Sequence, residues 1–469
     1  MCGYLCIAHN AHAGDWAFVP HLGLTEEYTD NVTLVGQDTL QDYISTINSG
    51  LSVRGISARL TSNIDYNLQK QIYDAEDSFS GLNHQLQADN ALTVVDQWLY
   101  FETNSRISQQ SIDNSNTFGR ENRNQAGNQT TVIFYEMKPS IRHRFGSWAD
   151  FDGSWSRGET STSGGNINTR GSGGDEAIDL RLSSGRRVSR TPVSISYRRN
   201  DENFDSGSNN DQERLNAELS YVVNRKFQLD FEVGREKNSS SNDQSNQGNQ
   251  LTWSVGATFT PTPRTQIDGN FGERSFGNSK NFSLKHRMRR WVFDVNYRED
   301  VRTRNQELRD LVLVPITDPF GNPVVDPTAN SNILNPDDLA SINENSFLTE
   351  SLAANVTYRG RKTNFSAGFY DTDRTSSGDT VASTVRGMRS SISRSLSRRL
   401  SIAFSVFWRE SETGSDFNNG TFLLNPSVHY TLGPHTDLSL SYSYRDGNGP
   451  DIDDNYIENS LSASVNLHY

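Results

Sequence analysis

The chain has 469 residues and a net charge of −13 at neutral pH, and only 33% of its residues are hydrophobic. This acidic balance argues against nucleic acid as a partner, because phosphate binding needs a concentrated basic surface. The low apolar content argues against an ordinary globular domain, and the aromatic content of 10% argues against a disordered chain. A membrane β-barrel reconciles these numbers, because its strands are apolar on one face while its lumen and loops are polar.

Residues 1–13 resemble the end of a secretory signal peptide. Ala11-His12-Ala13 has the A-x-A pattern of a cleavage site, and Cys2 and Cys6, the only cysteines, both precede it. We therefore expect residues 1–13 to be a signal-peptide remnant and residues 14–469 to be a single domain without cysteine. A plain mature N-terminus is the alternative, because the segment lacks a basic region and its apolar stretch is short.

Alternation of apolar and polar residues dominates the remaining chain and predicts β-strands of about 10–14 residues, enough for a tilted strand to cross a bilayer. No apolar run reaches the length of about 18 residues that a membrane-spanning helix needs. In chain order, the apolar faces include Ile64-Tyr66-Leu68, Leu215-Ala217-Leu219-Tyr221-Val223, Leu251-Trp253-Val255-Ala257-Phe259, Trp291-Phe293-Val295-Tyr297 and Leu438-Leu440-Tyr442-Tyr444.

The connections between these strands alternate between short and long. Short ones are predicted near 54–55, 95–96, 146–147, 187–188, 224–225, 261–263, 289–290, 359–360, 397–398 and 433–434. Long ones are predicted at 30–42, 69–80, 110–127, 158–175, 201–212, 238–249, 275–280, 303–346, 373–382, 411–420 and 446–456. Bacterial barrels combine short periplasmic turns with longer extracellular loops. We therefore predict an all-β, transmembrane, antiparallel up-and-down β-barrel of about 22 strands, within a range of about 18 to 26, in the outer membrane of a Gram-negative bacterium.

The longest connection, 303–346, differs from the other long loops, which are rich in Ser, Asn and Gly. It contains five prolines, and Asn335-Pro336-Asp337-Asp338 has the composition of a helix start. This connection could fold inward and constrict the lumen, or it could lie on the surface as a flap.

The C-terminal residues Leu461, Val465, Leu467 and Tyr469 alternate with polar residues and end the chain on an aromatic ring. This pattern resembles the signal by which outer-membrane proteins engage the barrel-assembly machinery. We therefore expect that machinery to be a partner.

Charges are distributed unevenly: basic residues concentrate at the predicted short turns, whereas acidic residues concentrate in the long connections. The predicted lumen or periplasmic-rim charges are Arg59, Arg142, Arg144, Arg181, Arg287, Arg289, Arg298, Arg359, Asp230, Asp268 and Asp294. These arginines could anchor the barrel at lipid head groups and pair with lumen carboxylates, or they could form a basic mouth that attracts anionic solutes. The acidic loops could bind divalent cations that bridge to lipopolysaccharide.

No sequence motif indicates catalysis or a cofactor. The nine histidines are scattered and lack metal-ligand spacing, so we predict neither a metal site nor a cofactor site and expect that the protein is not an enzyme. A Ser/His/acid cluster assembled from different strands near one rim stays open as a third possibility, because catalytic triads form in space rather than in sequence.

Two segments contribute to a family resemblance. Glu27-Tyr28-Thr29-Asp30-Asn31 ends the predicted first strand, and Asp318-Pro319-Phe320-Gly321-Asn322-Pro323 lies in the long Pro-rich connection. Together with the chain size and the barrel pattern, these features resemble outer-membrane proteins associated with the PEP-CTERM/exosortase system. The resemblance implies a role in exopolysaccharide export or surface assembly, with polysaccharide or export components as partners. It assigns no functional residue.

The sequence thus favours an outer-membrane pore or export channel associated with an exopolysaccharide system, in contact with membrane lipid and lipopolysaccharide. The alternative is a scaffold barrel with a closed lumen whose acidic loops bind polymer or partner proteins. The strand pattern begins directly after residue 14, so we do not expect the plug domain of a siderophore transporter.

Overall fold

The computed structural model describes residues 14–111, 129–163, 171–240, 249–303, 305–307, 346–376, 382–413, 417–448 and 455–468. In this part of the chain, 22 strands form one antiparallel sheet. Each strand pairs with the next along the chain, and the first pairs with the last, so the sheet closes into a barrel. The predicted up-and-down barrel of about 22 strands is confirmed.

The strands have the following bounds: β1 Gly14–Thr29, β2 Asp42–Ser57, β3 Leu60–Tyr73, β4 Gly81–Val95, β5 Leu99–Ser111, β6 Gln129–Phe145, β7 Ala149–Ser163, β8 Gly173–Ser184, β9 Val193–Phe204, β10 Asn209–Asn224, β11 Phe227–Ser240, β12 Asn249–Thr262, β13 Thr265–Arg274, β14 Gly277–Arg287, β15 Trp291–Arg302, β16 Phe347–Arg359, β17 Thr363–Ser376, β18 Ala382–Ser395, β19 Leu400–Thr413, β20 Phe417–Gly433, β21 Thr436–Asn448 and β22 Tyr456–His468. Two short 3₁₀ helices, Asp77–Phe79 and Arg186–Val188, lie in connections.

The two faces of the sheet differ as the alternation predicts. Outward side chains such as Phe18, Leu251 and Leu461 are large, apolar and exposed, whereas their inward neighbours are mostly polar. Outward aromatic residues lie toward both ends of the barrel; Trp98 and Trp148 lie in short turns, and Tyr43, Tyr135 and Trp253 lie near long connections. An apolar belt between two aromatic girdles fits the hydrocarbon layer and its interfaces. Among the described residues, no helix is long and apolar enough to cross a bilayer.

Several predicted loops are shorter in the structure because polar segments continue as paired strands. The predicted loop 201–212 is reduced to a connection at 205–208, with Asp201 opposite Asp211 in the β9–β10 ladder. The predicted loop 275–280 is reduced to 275–276, where Gly277 adopts a positive φ of 108°. Alternation weakens once both faces of a strand meet water, so the sequence pattern ends before the hydrogen-bonded ladder does.

The first predicted turn was also misplaced. The structure puts this connection at 58–59, and Gly55 lies inside β2, where a Cβ atom would collide with the ring of Trp16. The glycine therefore serves close packing rather than a turn. The expectations for residues 1–13, for the helix start at 335–338 and for Tyr469 lie outside the described residues.

The barrel seam between β1 and β22 is held at the long-connection end by the Tyr-Thr-Asp-Asn segment. Thr29 Oγ1 donates to Glu458 at 2.9 Å, and the Asp30 carboxylate accepts bonds from the Asn459 backbone at 2.7 Å and from its side chain at 2.9 Å. Asn31 is fully buried and donates to the Ile457 carbonyl at 3.1 Å. The motif that carries the family resemblance therefore closes the barrel.

Candidate functional site: the charged lumen

Two neighbouring parts of the lumen surface, here called walls, differ in charge. The lumen faces of β8–β15, the acid-bearing wall, carry both carboxylates and basic side chains. The lumen faces of β16–β20, the arginine wall, carry Arg359, Arg374, Arg389 and Arg409, and no described residue on them is acidic. The acids of these strands, among them Glu350, point outward with the apolar residues, so the asymmetry comes from register.

The acid-bearing wall contains a buried charge network. Arg274 donates to both oxygens of Glu236, at 2.7 and 3.1 Å, and to Asp300 at 2.9 Å. Arg298 adds a bond of 2.8 Å to Asp300. These residues lie on β11, β13 and β15, so the network spans alternate strands. The desolvation of each buried charge is offset by opposite charges with good hydrogen-bond geometry.

Predicted site residues lie beside this network. Asp230 accepts hydrogen bonds from Ser220 at 2.6 Å and Gln228 at 2.7 Å, and Asp268 accepts one from Thr258 at 2.8 Å. With Glu218, Glu232, Asn281 and Arg298, these carboxylates line a groove of about 340 Å³. No group of three or more metal-ligating side chains occurs among the described residues. The groove is therefore a polar surface whose carboxylates are hydrogen-bonded by hydroxyl and amide groups.

The short-turn end of the lumen is hydrated. Arg144 donates to Asp150 at 2.7 Å, Arg142 lies 3.7 Å from Asp152, and Arg181 lies 3.5 Å from Glu218. These three arginine side chains point into the barrel and are still 56–63% exposed. Water therefore reaches the lumen face here, and the ion pairs are worth little energetically.

The structure scatters the remaining predicted charges rather than gathering them into one site. Arg59 and Arg289 lie in short connections at the rim, and Arg287 and Arg359 end β14 and β16 at the same rim. Asp294 lies opposite Lys285 in the β14–β15 ladder. At this rim, the guanidinium of Arg187 stacks 4.2 Å from the ring of Trp148, a geometry suited to an interface. Of the predicted assembly-signal residues, Leu461, Val465 and Leu467 pair with β1 and β21 at the seam.

Apart from Arg359, the arginines of this wall were missed by sequence reasoning. Arg374 is buried and donates to Glu307 at 3.3 Å, with its guanidinium 6.0 Å from the ring of Phe347. Arg389 lies over two rings, 5.5 Å from Tyr370 and 5.4 Å from Phe407. Arg409 is only 3% exposed. The signal for Arg409 was present, because it continues the polar face opposite Phe404-Val406-Trp408.

Residues 303 and 305–307 cross the lumen at its long-connection end. Thr303 donates to Glu202 of β9, Asn305 accepts from Thr160 of β7 at 3.1 Å, and Gln306 donates to Gln212 of β10 at 2.7 Å. Glu307 meets Arg374 of β17. Because β7 and β17 are not neighbours in the wall, this crossing segment bridges the lumen. Of the two alternatives for 303–346, these described residues follow the inward one, and 308–345 lie outside the described residues.

A serine–histidine pair lies elsewhere in the lumen. Ser427 Oγ and His429 Nε2 approach to 3.2 Å on the lumen face of β20. No carboxylate completes a triad with His429 in the described part of the chain. The pair alone lacks the group that would orient the imidazole.

No protein-family model and no curated protein matches the chain. Solved structures do match. A variant of the ferric enterobactin receptor of Pseudomonas aeruginosa shares 10% identity and a TM-score of 0.53, over 96% of this chain and 80% of that one. The FrpB iron transporter of Neisseria meningitidis shares 9% identity and a TM-score of 0.51, over 96% and 82%. The fold is that of outer-membrane β-barrels. At such low identity, the similarity concerns the fold alone.

Proposed function

We propose that the protein is a pore or export channel of the outer membrane, constricted at its long-connection end by the crossing segment. The apolar belt and the aromatic girdles support the location. The observation that carries the proposal is the hydrated lumen, where Arg142, Arg144 and Arg181 point inward and stay largely exposed. A barrel built only as a scaffold has no need of a wet, charged interior.

The crossing segment makes the channel a restricted one. The four contacts named above are polar: two carboxylates, three amides, two hydroxyl groups and one guanidinium meet across the lumen. Thr303, Asn305 and Glu307 are buried, so these hydrogen bonds, rather than apolar packing, hold the segment in place. The constriction is therefore compatible with a channel that conducts when these contacts break.

We further propose that the solute is an exopolysaccharide. Two features support this: the resemblance of the Tyr28-Thr29-Asp30-Asn31 segment to exosortase-associated barrels, and a rim at the short turns rich in arginine, which would attract acidic chains. Lipopolysaccharide and the barrel-assembly machinery are the further partners that we propose, through the acidic long-connection end and the strand β22.

Conductance in planar lipid bilayers tests the proposal. We expect the refolded protein to conduct weakly and with anion preference. The triple variant Thr303→Ala, Asn305→Ala, Glu307→Ala should conduct several-fold more, because it removes three of the four contacts that hold the crossing segment.

The matched control is Thr258→Ala, Asn281→Ala, Glu232→Ala, which changes the same residue types on the acid-bearing wall. It should leave the conductance close to that of the unaltered protein. If neither the protein nor the crossing-segment variant conducts, although both migrate as heat-modifiable barrels on a gel, the channel proposal is wrong. A scaffold barrel with a closed lumen would then be the better description.

A further inference from the structure

Arg409 is a buried charge with no counterion among the described residues. It is 3% exposed, and its Nε and Nη2 atoms have no hydrogen-bond acceptor in the described part of the chain. Burying these N–H donors without an acceptor is costly, since they lose hydrogen bonds to water and gain none in return. Buried polar groups in native structures nearly always have a partner, so an unpaired one calls for an acceptor from outside the wall.

The surroundings of Arg409 are basic and aromatic. Its partner across the β18–β19 ladder is Gly387, where a Cβ atom would collide with the hydroxyl of Tyr370 and the carbonyl of Trp408. The missing side chain gives the Tyr370 ring its place on this wall. Two residues along β19 from Arg409, Phe407 contributes a second ring, and the guanidinium of Arg389 lies over both rings.

We propose that Arg409, Arg389, Tyr370 and Phe407 bind a carboxylate-bearing sugar chain in the lumen. A guanidinium binds a carboxylate through two parallel hydrogen bonds. Beside the guanidinium of Arg389, the two rings add apolar surface for the carbon face of a sugar ring. The absence of acids from the described lumen faces of β16–β20 means that no carboxylate of the wall competes with that of the ligand.

The same surface suits a neutral sugar or a small inorganic anion less well. A neutral sugar leaves the donors of Arg409 without a charged acceptor. Inorganic phosphate fills the donors and leaves both rings exposed to water. The proposal deepens the proposed channel function, on which it rests for the ligand's path through the lumen.

Calorimetric titration of the detergent-purified protein with trigalacturonate tests this site directly. We expect saturable binding, weakened about tenfold or more by Arg409→Gln, the loss expected for a charge-assisted hydrogen bond. Arg409→Lys keeps the charge but loses the paired hydrogen bonds, so its affinity should lie between that of the unaltered protein and that of Arg409→Gln. The matched control is Arg298→Gln, a lumen arginine that already has a partner, Asp300, at 2.8 Å; it should bind like the unaltered protein.

Two further titrations decide the ligand class. Maltotriose, a neutral sugar of equal length, should bind at least about tenfold more weakly than trigalacturonate. Binding of both sugars with equal affinity would overturn the carboxylate assignment, and inorganic phosphate that binds as tightly as trigalacturonate would overturn the sugar assignment. Unchanged affinity in a heat-modifiable Arg409→Gln barrel would remove Arg409 from the site.

The outcome is separable from that of the channel proposal. Binding that depends on Arg409 in a protein that does not conduct would retain the site and reject the channel. Conductance without trigalacturonate binding, or without its block of the current, would retain the channel and reject the site.

Discussion

The two walls of the lumen use the same residue type for different purposes. On the acid-bearing wall, Arg274 contacts two carboxylates and joins three strands. On the arginine wall, Arg409 is buried more deeply, at 3% exposure, and meets no carboxylate in the described part of the chain. A guanidinium that is neutralised by the wall contributes to the fold, whereas one that is not is available to a ligand. Burial alone therefore does not distinguish a structural from a functional charge in a barrel lumen. What distinguishes them is whether a carboxylate of the barrel pairs with the charge.

The largest expected effect is the loss of Arg274. Arg274→Met leaves the buried carboxylate of Glu236 and that of Asp300 without their shared counterion. We expect a loss of about 3–5 kcal/mol in the free energy of unfolding. Urea unfolding in lipid vesicles, followed by tryptophan fluorescence, measures it.

The matched variant on the other wall is Arg409→Met. It removes a buried charge that no described acidic residue balances, so the free energy of unfolding should stay the same or rise. If both substitutions destabilised the protein equally, the conclusion that Arg274 stabilises the fold and Arg409 does not would be wrong.

A smaller effect is expected where the crossing segment meets the arginine wall. Glu307→Gln removes the charged acceptor of the buried Arg374. We expect a loss of about 1–3 kcal/mol, the cost of weakening a hydrogen bond between charged groups. Unfolding midpoints in urea give the value. Glu102→Gln, at the hydrated end and 3.9 Å from Arg142, serves as the control and should change little.

The smallest effect is expected at the short-turn end. Arg144 and Asp150 form a hydrogen bond of 2.7 Å, yet the arginine side chain is 63% exposed. Arg144→Met should leave the free energy of unfolding almost unchanged, because water and salt screen the pair. The same urea titration checks this at low and high salt. A loss as large as that of Arg274→Met would mean that this end of the lumen is not hydrated.

Much of the barrel could be predicted from alternation alone. The strands, their number and the side chains that face outward follow from a period of two, which the apolar belt enforces through contact with lipid. The strand ends could not be predicted in this way, because both faces of a strand are polar where it extends beyond the membrane. The pair of Asp201 and Asp211 is an example.

The lumen was less predictable for two reasons. Arg374 fell in a predicted loop at 373–382, and Arg389 lies on β18, whose outward face also contains Arg386 and Ser390 and so alternates weakly. The contacts of the crossing segment join residues 101 and 145 positions apart, and no local pattern encodes such a pairing. Sequence reasoning gave some of the charges that line the lumen, such as Arg298 and Asp268, but not Arg274 or Arg409. It also did not give which of the charges have partners.

The seam at Thr29, Asp30 and Asn31 has a consequence for the order of assembly. Its partners on β22 lie 429 residues along the chain, so these bonds form only after the last strand has been made and placed. Closing so long a loop is slow compared with forming any neighbouring hairpin. Closure of the seam is therefore the last pairing step. Until it occurs, both edges of the sheet stay open to pairing with another strand, and after it the finished barrel has no open edge.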